Sequence, residues 1–247
     1  MNPAIAVNLK SSHARRGFSL VEMAIVLTIV AVLMAGLLPK LSGQIEQGRR
    51  AETRKVLAEI QQALIGYALM NGHLPCPVNP ATQNDPAASA VYGVPDPAGC
   101  AGPVAEGYLP WKTLGVPEMD SWGVKRTGSG SLWVGYWRYR VDPNFAASAV
   151  PFTLITPSHA INLQVQDNAG TILTSATERP LAIIFSTGPN VTADGENADY
   201  ETQALAPATY QSDVQGRNAG GSEFDDITVW ISRPTLFSRM VQAGKLP

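Results

Sequence analysis

Residues 18–38, FSLVEMAIVLTIVAVLMAGLL, contain a single ionisable side chain, Glu22, and constrain this chain more than any other stretch. As a helix rising 1.5 Å per residue the run would be about 32 Å long, close to the ~30 Å hydrocarbon core of a bilayer. It therefore reads first as a membrane-spanning helix. Arg15 and Arg16 stand directly before it, in a polar leader, residues 1–17, that also holds Lys10 and His13, has no acid and ends in Gly17. Lys and Arg beside a membrane helix stay cytoplasmic, so everything after residue 40 is expected outside the cytoplasm. A carboxylate inside such a helix costs on the order of 2.5–3.5 kcal/mol on insertion scales, so Glu22 calls for a role beyond anchoring.

The run R-R-G-F-S-L-V-E-M resembles the processing site of type IV pilins and the pseudopilins of type II secretion. The resemblance implies that a membrane prepilin peptidase cuts between Gly17 and Phe18, beyond the basic pair Arg15 and Arg16, and methylates the new Phe18 amine. It puts the family's carboxylate at Glu22 and its helix proline at Pro39. In a filament the Phe18 amine, cationic near neutral pH, would pair with the Glu22 carboxylate of a neighbouring subunit, and each charge would offset the other's burial. An ordinary secretory signal has a shorter apolar core and a small-x-small cleavage site. A twin-arginine signal shares the RRGF string but requires neither Glu22 nor a continuing helix. A plain single-pass anchor would keep its leader. Sequencing of the mature N-terminus separates all four readings.

Residues 39–72 keep a helical pattern but turn amphipathic. Val56, Leu57, Ile60, Leu64 and Ala68 recur at spacings of three and four, with Arg54, Lys55, Glu59 and Gln62 off that stripe. Asn71-Gly72 is a natural helix end, and Pro75 cannot prolong the helix. Pro39, Gly43 and Gly48 weaken the segment between the halves. They read either as a kink at the membrane surface or, as the resemblance implies, as a stretch that extends when subunits pack.

The formal charge is -2, from 18 basic and 20 acidic residues; losing Lys10, Arg15 and Arg16 leaves 15 against 20, about -5. That balance gives no sign of nucleic-acid binding. Cys76 and Cys100 lie in a Pro/Gly-rich stretch, and in an oxidising periplasm a disulfide between them would close the loop; two buried thiols are the alternative. Strands are expected at 132–141, 152–156, 161–166, 181–186 and 226–231, and a short helix near the C-terminus. Trp133, Tyr136, Trp137 and Tyr139 read as core. The fold class expected is α+β and pilin-like, a long N-terminal helix packed on an antiparallel sheet. The layout is a cleaved leader (1–17), a membrane or filament-core helix (18–38), its amphipathic continuation (39–72) and a periplasmic head (73–247).

The resemblance continues into the head. GYLPWKTLG, MDSWG and YWRYRV are similar to a pseudopilin loop-and-strand pattern, with Ser121 where the family often has Pro. IIFSTGPN, ADGENADY and FDDITVW resemble the calcium-holding loop of the major pseudopilin, which implies Asn190, Asp194, Asp225 and Asp226 as Ca²⁺ ligands. Asn190 stands where Asp is the family's choice, and residues 200–222 enlarge the loop. Without a cation the same residues would make Asx-turns and a solvated acidic face. His13, His73 and His159 are scattered, and no G-x-S-x-G, H-E-x-x-H or phosphate-binding loop is present, so no enzyme is expected. The expectation is a minor pilin or pseudopilin of a type IV pilus or type II secretion system. The mature chain, 247 minus 17 or 230 residues, is long for a major subunit. Its partners would be the prepilin peptidase, other subunits, an inner-membrane assembly platform and membrane lipid. The alternative is a membrane-tethered periplasmic domain with binding or hydrolytic activity.

Overall fold

The computed structural model describes residues 19–81, 83–96, 100, 106–146, 151–199, 208–212, 216–217 and 223–246. Helix α1 spans Leu20–Asn71. The chain divides into two compact units, Met1–Gln47 and Gly48–Pro247.

In the first unit the helix carries apolar side chains all round, and Leu20, Val21, Ile25, Leu27, Ile29 and Leu33 are exposed. Among the described residues no helix is long and apolar enough to cross a membrane. The apolar side chains described in this unit run from residue 20 to 34. The side chains of residues 35–42, Pro39 among them, lie outside the described residues, as do residues 1–18.

In the second unit the sequence pattern explains the packing directly. Val56, Leu57, Ile60, Leu64 and Ala68 are buried, while Arg54, Lys55 and Glu59 stay in solvent. The helix ends as its C-terminal residues require: the Gly72 N–H donates to the Ala68 carbonyl at 2.8 Å, with Gly72 at φ +76°. A Cβ on Gly72 would also come within 2.7 Å of Pro151. Only glycine meets both conditions.

The buried stripe packs on a four-stranded antiparallel sheet made of β1 (Gly107–Tyr108), β2 (Arg138–Val141), β4 (Pro180–Ser186) and β8 (Ile227–Ser232), in the order β1-β2-β4-β8. Tyr139 pairs with Ile184 and Val141 with Ala182, and these four share one core with Leu57, Ile60 and Leu64. A closing helix, α2 (Arg233–Gln242), adds Leu236 and Met240 to that core. It is capped by the Ser232 hydroxyl, which accepts from the Thr235 N–H at 3.4 Å.

The sheet is covered on its other face too. A parallel pair, β3 (Gln164–Gln166) and β5 (Thr209–Gln211), supplies Val165 and Tyr210, which pack with Ile183 and Phe185 of β4. Strand β4 therefore has seven consecutive buried residues, which is why PLAIIFS does not alternate. Between these layers lie two charged residues of β2. An Arg138 guanidinium nitrogen is 2.6 Å from Glu106 Oε1, and the Tyr210 hydroxyl donates to Glu106 Oε2 at 2.7 Å. Arg140, on the same face of β2 as Arg138, is buried as well. A small hairpin of β6 (Gly216–Arg217) and β7 (Glu223–Phe224) precedes β8.

Two strand expectations are corrected. Residues 132–141 are extended in a ladder only from Arg138; Tyr136 makes an isolated bridge to Met119, and Gly135 turns the chain at φ +69°. Residues 152–156 form a turn: the Thr156 N–H donates to the Thr153 carbonyl at 3.1 Å, and the Thr153 N–H to the Thr156 hydroxyl at 2.8 Å. Local hydroxyl bonds outcompete a ladder there, and Ile155 is 89% exposed. Of the aromatic run, Tyr136, Trp137 and Tyr139 are buried, while Trp133 stacks on Tyr108 with ring centroids 4.4 Å apart.

Cys76 and Cys100 form a disulfide, with Cα atoms 5.7 Å apart. It closes a loop that contributes few ladder bonds of its own, so its effect lies mainly in restricting the unfolded chain. Replacing both cysteines by serine is expected to lower stability by about 3 kcal/mol, read from the denaturant midpoint.

Candidate functional site

At the start of α1, Ser19 and Glu22 cap each other. The Glu22 N–H donates to Ser19 Oγ at 3.1 Å, and the Ser19 N–H donates to Glu22 Oε2 at 2.9 Å. This is a capping box, S-x-x-E, which satisfies two helix-end donors reciprocally. The S-x-x-E spacing is legible in the sequence, where the resemblance points instead to Glu22 as an assembly carboxylate. Ser19→Ala is expected to speed hydrogen exchange of the Glu22 amide about fivefold, since a lost N-cap loosens the first turn. The expected processing residues Arg15, Arg16, Gly17 and Phe18 lie outside the described residues.

The second site is built by two loops that meet at the end of the sheet. Strand β4 ends at Ser186, and Gly188, at φ +62°, turns the chain into residues 189–199. A Cβ on Gly188 would lie 2.5 Å from the Asp225 carbonyl oxygen, so glycine is what lets the two loops touch. Asp225 and Asp226 precede β8 directly and are 7% and 3% exposed.

The structure brings the four acidic-loop residues together. Carboxylate oxygens of Asp194, Asp225 and Asp226 all lie within 4.8 Å of one another. The Asn190 side-chain amide donates to Asp194 Oδ2 at 2.9 Å, and its Oδ1 accepts from the Thr192 N–H at 2.7 Å. Asn190 thus orients Asp194 while closing an Asx-turn. Asp225 Oδ2 accepts from the Asn190 N–H at 3.3 Å, and Asp226 Oδ2 from the Asp194 N–H at 3.0 Å. The other oxygen of each, Asp225 Oδ1 and Asp226 Oδ1, is buried with no hydrogen-bond partner among the described residues. An orphaned buried carboxylate oxygen is costly unless it is protonated or meets a cation.

The electrostatics follow from this crowding. Burial pushes the Asp226 carboxyl up to about 8; the Asp194 N–H and Asn197 pull it down, while the Asp194 and Asp225 charges push it further up. Asp225 is raised as well, by burial first and then by Asp194. Three carboxylates in a half-dry pocket with two unused oxygens are a donor set that suits a hard dication, which takes six to eight oxygens, some from backbone carbonyls.

Asn197 belongs to this site and was passed over in the sequence. It is fully buried, its amide donates to Asp226 Oδ2 at 2.9 Å, and its Oδ1 accepts from the Gln211 N–H at 2.7 Å, tying the loop to β5. Its only signal was a place inside ADGENADY. His159 takes no part, since its Nδ1 faces the Ile161 N–H of its own loop at 3.2 Å.

Residues 12–38 match the family described as the prokaryotic N-terminal methylation motif. The type II secretion system core protein G of Escherichia coli (strain K12) is 30% identical over 115 residues, 47% of this chain and 72% of that protein. No solved structure matches. A methylation motif heading a helix whose second part lies on a four-stranded antiparallel sheet defines a pilin-like protein. The chain belongs to the type IV pilin and type II secretion pseudopilin family.

Proposed function

We propose that this protein is a minor pilin or pseudopilin, a structural subunit rather than an enzyme, that is cut between Gly17 and Phe18, methylated on Phe18 and assembled through α1. Before assembly the helix holds it in the bacterial inner membrane, with the leader in the cytoplasm and the head in the periplasm. Its partners are the prepilin peptidase, other subunits of a type IV pilus or type II secretion pseudopilus, and the inner-membrane assembly platform. One observation carries this reading: a basic leader, Gly17, Phe18 and Glu22 stand at fixed spacings at the head of a helix whose apolar side chains are exposed. Such a surface needs lipid or other helices to cover it.

Glu22 then has two roles in sequence. It caps its own helix in the subunit, and in the filament it meets the Phe18 amine of the next copy. Asp194, Asp225 and Asp226, oriented by Asn190, would hold Ca²⁺; the ion would neutralise the three carboxylates and pin the loop before β8.

Intact-mass measurement of the protein from cell membranes tests the processing. The expected species lacks residues 1–17 and carries one added methyl group. A functional protein still bearing its leader would return the chain to a tethered periplasmic domain.

A further inference from the structure

The acidic loop touches helix α1 at a charged residue. Arg50 is 7% exposed, and its Nη1 donates to the Asp225 carbonyl oxygen at 3.5 Å. Its guanidinium carbon lies 5.9 Å from the centre of the Trp122 ring. Trp122 is itself held in place: its N–H donates to Asp120 Oδ1 at 2.9 Å, and Asp120 Oδ2 accepts from the Ser186 hydroxyl at 2.5 Å. The Ser186 oxygen accepts in turn from the Gly188 N–H at 3.1 Å, and Gly188 is the residue packed on Asp225. One turn along α1 from Arg50, the Thr53 hydroxyl donates to Ser121 Oγ at 3.2 Å. A closed circuit of contacts therefore holds Arg50 on the backbone of Asp225, close enough for its charge to favour the ionised Asp225 carboxylate.

We infer that Arg50 is a built-in counter-cation of the acidic loop, and that it competes electrostatically with the dication proposed above for the field of Asp194, Asp225 and Asp226. This rests on the calcium reading of the loop. The fixed positive charge offsets the mutual repulsion of three carboxylates when no ion is bound, and it opposes the ion when one arrives. Two effects of removing Arg50 pull in opposite directions. Losing the long hydrogen bond to the Asp225 carbonyl, together with the other contacts of the guanidinium, would loosen the site slightly, whereas losing a unit charge near a dication would strengthen binding by about tenfold at an effective dielectric of ~20. The charge effect wins. Because the charge sits on α1, cation occupancy of the loop and the hold of α1 on the loop are reciprocally linked.

Calorimetric titration of the full-length chain in detergent micelles with calcium chloride, with melting curves in parallel, tests this. Arg50→Gln and Arg50→Met are expected to bind calcium about tenfold more tightly than the parent and to melt at lower temperature without calcium. Arg50→Lys, which keeps the charge, should stay within about threefold of the parent. A residue that only braces the loop would give weaker binding in all three variants. Unchanged or weaker binding by the folded neutral variants overturns the inference and leaves the calcium site standing. No binding by the parent chain removes the site, and the inference with it.

Discussion

Glu22→Ala is expected to leave the cut between Gly17 and Phe18 intact and to reduce incorporation into filaments by a hundredfold or more. Removing one partner of a buried ion pair leaves the other charge buried and uncompensated, at about 3–5 kcal/mol. In this protein the substitution also breaks the capping box with Ser19, so a second variant is needed. Glu22→Gln keeps the capping spacing, because glutamine serves in a capping box as glutamate does, but removes the charge. If pairing with the Phe18 amine drives assembly, the Gln variant fails as well. The measurement is the ratio of subunit in sheared filaments to subunit in membranes. A Gln variant that assembles normally would reduce Glu22 to a helix cap.

The second large effect is expected in solution, as a fall in stability with rising pH in the presence of a chelator. Asp226 has its folded value raised to about 8, against about 3.9 for an unperturbed aspartate. The folded state then binds more protons than the unfolded state between those limits. Stability is full below about pH 4 and is lost progressively as pH rises towards 8, by on the order of 5 kcal/mol for complete burial of one such group. Asp225, Asp120 and Asp142, each raised chiefly by burial, act in the same direction. Calcium reverses the trend, since it stabilises the ionised carboxylates. The melting temperature with excess calcium should exceed that with chelator by a margin that grows from pH 5 to pH 8. A margin of zero at pH 8 would remove calcium from the acidic loop. Asp226→Asn should flatten the pH dependence while abolishing the calcium response.

Much of the frame was legible because it depends on local periodicity. The stripe from Val56 to Ala68, the end at Asn71-Gly72, the core of β4 and the helix at Arg233–Gln242 all follow from side-chain spacing and cap chemistry. The strand expectation at 152–156 failed because FTLIT is rich in β-forming residues, yet its two threonine hydroxyls bond the backbone locally. Within the candidate site, Asp194, Asp225 and Asp226 were visible as acids near turns. Asn197 and Arg50 were not, since their importance depends on distances of 29 residues to Asp226 and 175 to Asp225 along the chain.

The sequence by itself determined the order of parts: a basic leader, an apolar helix bearing one carboxylate, an amphipathic continuation and a strand-rich head. Those features arise from neighbours a few residues apart, where hydrophobic period, helix caps and charge flanks act directly. Only the tertiary structure decided that β4 is sandwiched between α1 and the β3–β5 pair. It alone placed Arg138 and Glu106 as a buried ion pair between two layers, and buried two carboxylate oxygens, Asp225 Oδ1 and Asp226 Oδ1, with no partner among the described residues. Burial and electrostatic crowding come from segments far apart in the chain, and no local pattern encodes how closely those segments approach.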